Sequence, residues 1–269
     1  MEKDAIITSR HNERIRDAKR LQQKKYRDLM GLFCLEGVRV VEEALATPYV
    51  EHLFFTQRLT ESPRGSELVA WAEAKGVLTW QCSEGVLSEL TDTVKSQGVV
   101  ALVRKPTWPL ICAGFLLIAD EIQDPGNMGT LLRTAVGAGV EGLFVVEGSV
   151  DLYNPKVLRS SMGAIFHLPH WVLKRSQVID LLRDNNSTLV IADLVEAEEY
   201  WSVSYPQNLA IVIGNEARGI HEKFRDKANI RVQIPLVGAV ESLNAPVAAG
   251  VLLYEILRQR RCNQCDSVV

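Results

Sequence analysis

Five short apolar runs between residues 115 and 235 constrain the fold of this chain more than any other feature. Each is six residues long, and stretches with helical spacing separate one from the next. Continuous apolar runs of this length are typical of strands buried on both faces, and their alternation with helices indicates a parallel α/β sheet. The runs are FLLIAD (115–120), LFVVEG (143–148), TLVIAD (188–193), LAIVIG (209–214) and IRVQIP (230–235).

A smaller set of alternating elements precedes this block. A basic helix is predicted near 12–29. Further on, the predicted strands are 33–36, 52–55, 77–80 and 99–103, with helices between them. The segment Lys105 to Pro109 contains two prolines and interrupts the pattern. We therefore predict a first domain at 1–105, a linker at 106–113 and a second domain at 114–269.

Composition excludes several classes of protein. The 269 residues are 47% apolar and 23% charged, which favours a folded chain over a disordered one. The first residues contain no apolar signal region, and no uninterrupted apolar run reaches the roughly 18 residues of a membrane span. Five scattered cysteines do not form a disulfide framework in a chain of this length. We expect a cytoplasmic protein without a membrane segment.

Positive charge is concentrated near the N-terminus, although the net charge is −3. Seven basic residues of this stretch are candidate nucleic-acid-binding residues: Arg10, Arg14, Arg16, Lys19, Arg20, Lys24 and Lys25. Such a stripe, which extends to Arg27, suits a phosphate backbone. The alternative is a solvated amphipathic helix that turns its apolar residues toward a core. Those apolar residues are Ile15, Ala18, Leu21 and Leu29.

Polar residues cluster after three of the apolar runs. Ligands of open α/β sheets bind beyond the carboxyl ends of the strands, so one pocket can collect these side chains. Each cluster taken singly is also compatible with an ordinary turn or helix cap, with Asn244 capping a helix that has Pro246 in its first turn. The candidate catalytic residues are Asn127, Arg133, Glu216, Ser242 and Asn244.

Three other patterns do not predict sites. The sequence GAGVEG (137–142) has the spacing of a dinucleotide fingerprint, but it closes a predicted helix and leads into a strand. We interpret it as a helix C-cap and turn. His167 and His170 lack a third metal ligand, and Cys262 and Cys265 lack a second pair. We predict no metal site.

Three segments together resemble the signature motifs of the SpoU/TrmH branch of the SPOUT RNA methyltransferases. They are DEIQDPGNMGTLLRTAVGAG (120–139), IVIGNEARGI (211–220) and IPLVGAVESLNAPVAAGVLLYE (234–255). The resemblance covers about 114–260, and FCLEGVRVVEEAL (33–45) is similar to the start of an L30e-like substrate-binding domain. The resemblance implies a SPOUT-type sheet with a deep C-terminal trefoil knot, and a homodimer with active sites at the subunit interface.

The same resemblance implies transfer of a methyl group from S-adenosylmethionine to a ribose 2'-hydroxyl of RNA. The family gives Arg133 the central catalytic role. A guanidinium is a poor base, so we expect Arg133 to grip a phosphate and stabilise the developing alkoxide. Asn127 is expected to cap its helix and orient Arg133 or the nucleotide. Glu216 is expected to hold Arg133 from the partner subunit or to accept a hydrogen bond from the ribose.

Ser242 and Asn244 resemble the polar pair of the family's third motif, with hydrogen bonds to the nucleotide or to the active-site backbone. Cofactor contacts are expected from four residues: Leu194, Gly214, Ile234 and Leu243. The chain departs from the family where Ala245 and Pro246 follow Asn244, which removes a possible donor but suits a first helical turn.

The substrate is less closely defined than the reaction. An L30e-like domain favours ribosomal RNA, most of all the large-subunit species, with transfer RNA as the second possibility. A catalytically silent RNA-binding or assembly factor on the same fold is the alternative from another class. Lys156, Arg159 and Arg218 are either solvated surface charges or further phosphate contacts.

Overall fold

The computed structural model describes residues 6–93, 95–193 and 196–265. Two compact units make up the chain: Met1–Thr107 with Tyr153–Phe166, and Trp108–Leu152 with His167–Val269. The helices are α1 (Glu13–Arg20), α2 (Lys24–Met30), α3 (Val38–Leu45), α4 (Gln57–Thr60), α5 (Pro63–Ala74), α6 (Glu84–Leu87), α7 (Pro125–Gly137), α8 (Pro155–Ser161), α9 (Arg175–Asp184), α10 (Glu222–Arg225) and α11 (Ala245–Cys265).

The strands of the first unit are β1 (Leu32–Glu36), β2 (Val50–Phe55), β3 (Leu78–Gln81) and β4 (Val99–Arg104). Those of the second unit are β5 (Phe115–Asp120), β6 (Gly142–Val146), β7 (His170–Leu173), β8 (Thr188–Ala192), β9 (Glu198–Glu199), β10 (Leu209–Gly214) and β11 (Ile230–Gln233).

The second unit is built on a parallel sheet with strand order β7-β6-β5-β10-β8-β11-β9. Every residue of β5 and of β6 is buried, as expected for strands covered on both faces. Phe144 and Phe224 lie in its core and are fully buried. The α/β class and the five predicted strands are therefore confirmed, whereas β7 and β9 were not predicted.

The centre of this sheet brings two distant segments together. Strands β5 and β10 pair in parallel, with Leu209 opposite Phe115 and Gly214 opposite Asp120. Their carboxyl ends therefore meet at one edge, where β5 leads into α7. The C-terminal helix α11 packs on α7, and a Cβ at Gly250 would lie 3.7 Å from Thr134 Cγ2.

The end of α7 confirms the interpretation of GAGVEG. The helix closes at Gly137, and the amide of Ala138 donates to the Thr134 carbonyl. Gly139 follows in the left-handed region at φ 75°, and its amide donates to Val136. Glycine adopts this φ without strain, which makes it the usual residue just after a helix. The segment serves as a C-cap, as predicted.

The first unit contains a four-stranded sheet with order β1-β4-β2-β3, in which only β2 and β3 pair in parallel among the described strands. Ile15, Ala18 and Leu21 lie in its core, as predicted. The single helix expected at 12–29 is wrong, because two helices, α1 and α2, occupy this stretch. Leu29 is 76% exposed and does not reach the core.

Arg27 also departs from its expected role as a phosphate contact. Its side chain is 4% exposed, and Nη1 donates to the carbonyls of Leu21 and Gln22 at 2.8 Å each. These bonds satisfy carbonyls at the break between α1 and α2. Arg27 therefore stabilises the fold of the first unit. Within the described ranges, no helix is long and apolar enough to cross a membrane.

Candidate active site

Helix α7 begins at the carboxyl end of β5 with a side-chain cap. Asp124 is the N-cap residue, and its Oδ1 accepts from the backbone N–H of Asn127 at 2.7 Å. Pro125 occupies the first turn, where its missing N–H costs nothing. The expectation that Asn127 caps this helix is wrong. Because Asp124 is the cap, the Asn127 side chain is available for other contacts.

The Asn127 side chain joins two of the three predicted clusters. Its Nδ2 donates to Glu216 Oε1 at 2.9 Å. Glu216 also accepts from the backbone amides of Gln123 at 3.3 Å and Asp124 at 3.4 Å. Partial burial raises the pKa of Glu216, but the hydrogen bonds from Asn127 and the backbone outweigh it and lower the pKa below its ordinary value. Glu216 is therefore an anion at neutral pH.

Asn244, from the third predicted cluster, contacts the same side-chain amide of Asn127. Asn244 Nδ2 donates to Asn127 Oδ1 at 3.2 Å, so the three predicted residues form one chain of hydrogen bonds. The Asn244 carbonyl accepts from Val247 and Ala248 at the start of α11. Pro246 lies in the first turn of that helix, as the sequence suggested. Ser242 is exposed close by on the same loop.

Arg133 stands apart from this chain of hydrogen bonds. It lies on α7 six residues after Asn127, on a different face of the helix, and it is exposed. No carboxylate or hydrogen-bond acceptor of the described residues contacts its guanidinium. Within a single protomer Glu216 thus holds Asn127, and Glu216 does not pair with Arg133 of the same protomer.

A buried carboxylate that sequence reasoning missed supports the loop between β5 and α7. Asp120 is 1% exposed, and its Oδ1 accepts from Arg175 Nε at 3.1 Å and Nη2 at 2.9 Å. Its Oδ2 accepts from the backbone amide of His221 at 2.9 Å. The end of strand β5 is therefore tied to α9 and to the residue before α10. The position of Asp120 at a strand end is the only signal in the sequence.

The next residue, Glu121, has an unusual backbone. Its φ is 57°, in the left-handed region that residues other than glycine rarely adopt. Arg175 Nη2 donates to its Oε1 at 2.6 Å, and this bond lowers the pKa of Glu121. Asn215 Nδ2 donates to its carbonyl at 2.8 Å. These contacts fix the first motif against the second, since Asn215 precedes Glu216.

A cavity of about 450 Å³ lies beyond the carboxyl ends of β8 and β11. Two of the predicted cofactor residues, Ile234 and Leu243, line it, and so does Ser242. Leu236 adds a further apolar wall, and the Asp193 side chain adds a carboxylate. The volume falls within the range of small-molecule sites, and the mixture of apolar walls with few polar groups is typical of them.

Gly214 and Leu194 complete the predicted cofactor set. Leu194 lies outside the described residues. Gly214 does not line the cavity. Its lack of a side chain makes room for the backbone of Gly219 and Ile220. A Cβ there would lie 2.5 Å from the Gly219 carbonyl carbon and 2.5 Å from the Ile220 nitrogen. The close backbone approach expected at Gly214 is thus made by the loop of the second motif.

All seven predicted RNA-binding residues are exposed. Lys19 pairs with Glu89, Lys24 with Asp28, and Arg20 with Asp17 at 3.1 Å. The Arg14 guanidinium lies 4.0 Å from the centre of the Trp80 ring. Arg10, Arg16 and Lys25 are the other three. Exposed pairs of this kind are weak and exchange readily for contacts with a phosphate.

The two histidines of the HxxH pattern differ in environment. His170 lies in β7 at 7% exposure, with Nδ1 2.8 Å from the Leu168 carbonyl. Burial lowers the pKa of His170 despite that hydrogen bond. His167 is exposed. Among the residues that the structure describes, no three or more His, Cys, Asp or Glu side chains are grouped so that they could hold a metal ion.

Comparison with known proteins places this geometry in a family. The model of the SpoU rRNA Methylase family matches residues 114–254, and that of an MRM3-like substrate binding domain matches residues 12–101. The 23S rRNA (guanosine(2553)-2'-O)-methyltransferase RlmP of Bacillus subtilis is 32% identical, with 93% of this chain and 98% of the relative covered.

Two solved structures are similar along almost the whole chain. An AdoMet-bound rRNA methyltransferase from Sinorhizobium meliloti has a TM-score of 0.84 at 28% identity, covering 94% of this chain and 97% of that one. The SpoU methyltransferase AviRb from Streptomyces viridochromogenes, in complex with AdoMet, has a TM-score of 0.81 at 29% identity, covering 93% and 99%.

Proposed function

This chain belongs to the SpoU rRNA methylase family, and on that premise we propose that it methylates a ribose 2'-hydroxyl of RNA with S-adenosylmethionine as the methyl donor. One observation carries the proposal: Asn127, Glu216 and Asn244, predicted from three separate motifs, meet in one chain of hydrogen bonds. These hydrogen bonds lie at the start of α7, the helix that carries Arg133.

The cavity beside Leu243 is the proposed cofactor site. Ile234, Leu236 and Leu243 offer apolar surface to an adenine ring, and neighbouring main-chain groups offer hydrogen bonds to its edge. The Ser242 hydroxyl lines the same cavity and suits the polar groups of the ligand. The Asp193 carboxylate, also in the lining, lies 3.7 Å from Arg225 and 3.8 Å from Arg231. When bound, the cofactor supplies an electrophilic methyl group.

Arg133 is the proposed catalytic residue. Its exposed guanidinium makes no contact with a carboxylate of the described chain, so its charge is available to an RNA phosphate. Removing the proton of a ribose hydroxyl leaves an alkoxide, and a fixed cation stabilises that charge as it develops. A guanidinium is a poor base, so Arg133 is proposed to act through its charge and not to take the proton. A phosphate oxygen is the proposed acceptor of the hydroxyl proton.

The three hydrogen-bonded residues are proposed to position the ribose. Asn127 is held from both sides, by Glu216 and by Asn244, so its amide has one orientation. A fixed orientation matters because in-line methyl transfer depends on holding the 2'-oxygen in place. Ser242 is proposed to donate to the nucleotide or to the active-site backbone. Gly214 is proposed to act indirectly, by allowing the Gly219 loop to close over the strand end.

Large-subunit ribosomal RNA is the proposed substrate. RlmP, the relative that covers 93% of this chain, carries 23S rRNA in its name, and the rRNA methyltransferase of Sinorhizobium meliloti covers a similar share. The exposed basic residues of α1 and α2 are proposed to hold the phosphate backbone. Guanosine 2553, the nucleotide in the name of RlmP, is the first position to test.

Other features of the family are part of the same proposal. They are an L30e-like substrate-binding domain at 1–105 with a linker at 106–113, a methyltransferase domain at 114–269 with a deep trefoil knot, and a homodimer in the cytoplasm. The match of residues 12–101 to an MRM3-like substrate binding domain supports the first of these. The hydrogen bond between Asn244 and Asn127, which are 117 residues apart, supports a fold in which distant segments meet at one site.

The proposal is tested by transfer of radiolabelled methyl groups from S-adenosylmethionine to ribosomal RNA and transfer RNA from cells that lack this gene. We expect label in 23S rRNA with wild-type protein and none with Arg133→Ala. If only transfer RNA is labelled, the substrate is transfer RNA and the proposal of ribosomal RNA is wrong. A wild-type protein that binds no cofactor and labels neither RNA would support a silent RNA-binding factor and contradict the proposal.

A further inference from the structure

A second cavity, of about 320 Å³, lies within the first unit and has no part in the proposed methyl transfer. Three basic side chains line it, Arg39, Lys95 and Arg159, against one carboxylate, Glu36. Val40 and Met162 provide apolar wall in the same cavity. A volume near the lower end of ligand pockets, with basic and apolar walls together, suits a small anionic group attached to a flat apolar one.

The positive charges of this cavity are only partly compensated, since three basic side chains face one carboxylate. Arg39 and Lys95 are exposed, and neither makes a hydrogen bond or ion pair with any residue that the structure describes. The Arg159 guanidinium lies 4.0 Å from Glu36, too far for a hydrogen bond. Its Nη1 is buried without a hydrogen-bond partner in the described part of the chain. A buried donor left in this state is costly and indicates a missing acceptor.

Glu36 supplies the one negative charge of the lining, 4.0 Å from Arg159, and its oxygens also accept hydrogen bonds from the protein. Thr93 Oγ1 donates to Oε1, and the backbone N–H of Asp92 donates to Oε2 at 3.3 Å. These bonds join the end of β1 to the segment before β4. The carboxylate thus fixes the cavity wall and offsets one of the three positive charges, and the remaining positive charge faces a ligand.

The part of the cavity lining formed by the start of α3 is also held in place. Gly37 has φ 110°, which permits β1 to turn directly into α3. Gln97 Oε1 accepts from the Val38 amide at 2.7 Å, at the first turn of α3. Arg39 follows in that turn, so its backbone is held even though its side chain is free to meet a phosphate.

We infer that this cavity binds one unpaired nucleotide of the RNA substrate, with its phosphate held by Arg39, Lys95 and Arg159 and its base against Val40 and Met162. The inference rests on the proposed function, since it takes RNA as the substrate. Exposed bases of single-stranded regions are the part of RNA that proteins recognise by insertion into pockets. The cavity is thereby a site of substrate recognition separate from the residues that transfer the methyl group.

The charge part is tested with the double variant Arg39→Ala/Lys95→Ala and a 23S rRNA transcript that wild-type protein methylates. We expect RNA affinity at physiological salt to fall about tenfold, and the slope of log K against log salt to decrease by about 1 to 1.5. The double variant Lys75→Ala/Arg104→Ala removes the same charge elsewhere in the unit and is expected to leave both quantities unchanged. Equal effects of the two double variants would overturn the inference.

The base part is tested with Met162→Gly. Met162 has φ 51°, a region that glycine tolerates, so the variant is expected to fold. We expect it to weaken RNA binding about tenfold through lost base contact, with the salt slope unchanged because no charge is removed. Unchanged affinity of a folded Met162→Gly protein, checked by thermal melting, would overturn the assignment of a nucleotide base to this wall.

Failure of this inference differs from failure of the proposed function. All variants are assayed for cofactor binding by calorimetry and for methyl transfer at saturating RNA. We expect KM for RNA to rise in the cavity variants while cofactor affinity and kcat stay within twofold. If wild-type protein methylates rRNA but the cavity variants bind it normally, the cavity inference alone is wrong. If wild-type protein methylates no RNA, the proposed function fails.

Discussion

Asn127 Nδ2 donates a hydrogen bond of 2.9 Å to Glu216 Oε1, across 89 residues of chain. Each residue has a second role at the same place: Asn127 accepts from Asn244, and Glu216 accepts from the backbone before α7. The bond therefore links the start of α7 to the loop after β10, the two places where the central strands of the sheet end. Its geometry explains why both residues belong to one site.

A double-mutant cycle measures this link. Because Asn127→Ala and Glu216→Ala break the same bond, their effects on the free energy of unfolding are expected to be non-additive by about 1 kcal/mol. Methyl transfer is expected to fall in each single variant and little further in the double variant. Urea unfolding and initial rates provide the two readouts. Fully additive losses in both would show that the residues act independently.

Arg133 provides a test of how charge and geometry contribute. Arg133→Ala is expected to lower kcat by about 10² to 10³, as for loss of a group that stabilises developing charge. Arg133→Lys is expected to recover only a small part, because lysine lacks the planar fork that binds phosphate at two points. Arg183→Ala, an exposed arginine of α9, is the matched control. If Arg133→Lys keeps most of the activity, a two-point grip is not required.

Gly214 and Gly85 make a matched pair for stability. Gly214→Ala places a Cβ 2.5 Å from the backbone of Gly219 and Ile220, which cannot move aside as a side chain would. We expect a loss of more than about 2 kcal/mol in the free energy of unfolding. Gly85→Ala meets nothing within 4 Å and lies in helix α6. It is expected to be neutral or stabilising by up to about 1 kcal/mol.

The pH dependence of stability is expected to include His170. Burial lowers the pKa of His170 in the folded protein, so between its ordinary pKa of 6.5 and its lower folded value only the unfolded state is protonated. The free energy of unfolding is therefore unaffected by His170 above pH 6.5 and decreases as pH falls below it, by at most about 1.4 kcal/mol per pH unit. Urea unfolding at pH 7.5 and 5.5 measures it. His170→Asn should reduce the difference, whereas the exposed His11→Asn should not.

Particular elements show how far sequence reasoning reached. Strands β5 and β10 occupy the predicted ranges, because continuous apolar runs define them. Strand β7, HWVL at 170–173, was missed because its short mixed pattern does not differ from a loop. The break between α1 and α2 depends on bonds from Arg27 to two carbonyls, which no local pattern reports.

The site shows the same division. Three of the five candidate residues, Asn127, Glu216 and Asn244, meet at the end of the sheet, whereas Arg133 stands apart from them. The family assignment from three segments is confirmed. Asp124 could have been recognised as the cap, since Asp before Pro is a common start of a helix. Asp120 and Arg175 could not be paired, because they are 55 residues apart and α7, β6, α8 and β7 lie between them. Long-range pairing is decided by packing, which a single sequence does not display.

Chemical analysis of the methylated RNA tests the central claim most directly. Labelled 23S rRNA is hydrolysed with alkali, which cleaves after every nucleotide that has a free 2'-hydroxyl, and the products are identified by mass spectrometry. We predict that the methyl group is recovered in an alkali-resistant dinucleotide with wild-type protein and is absent with Arg133→Ala. Recovery of the label in a methylated base within a single nucleotide would contradict ribose methylation.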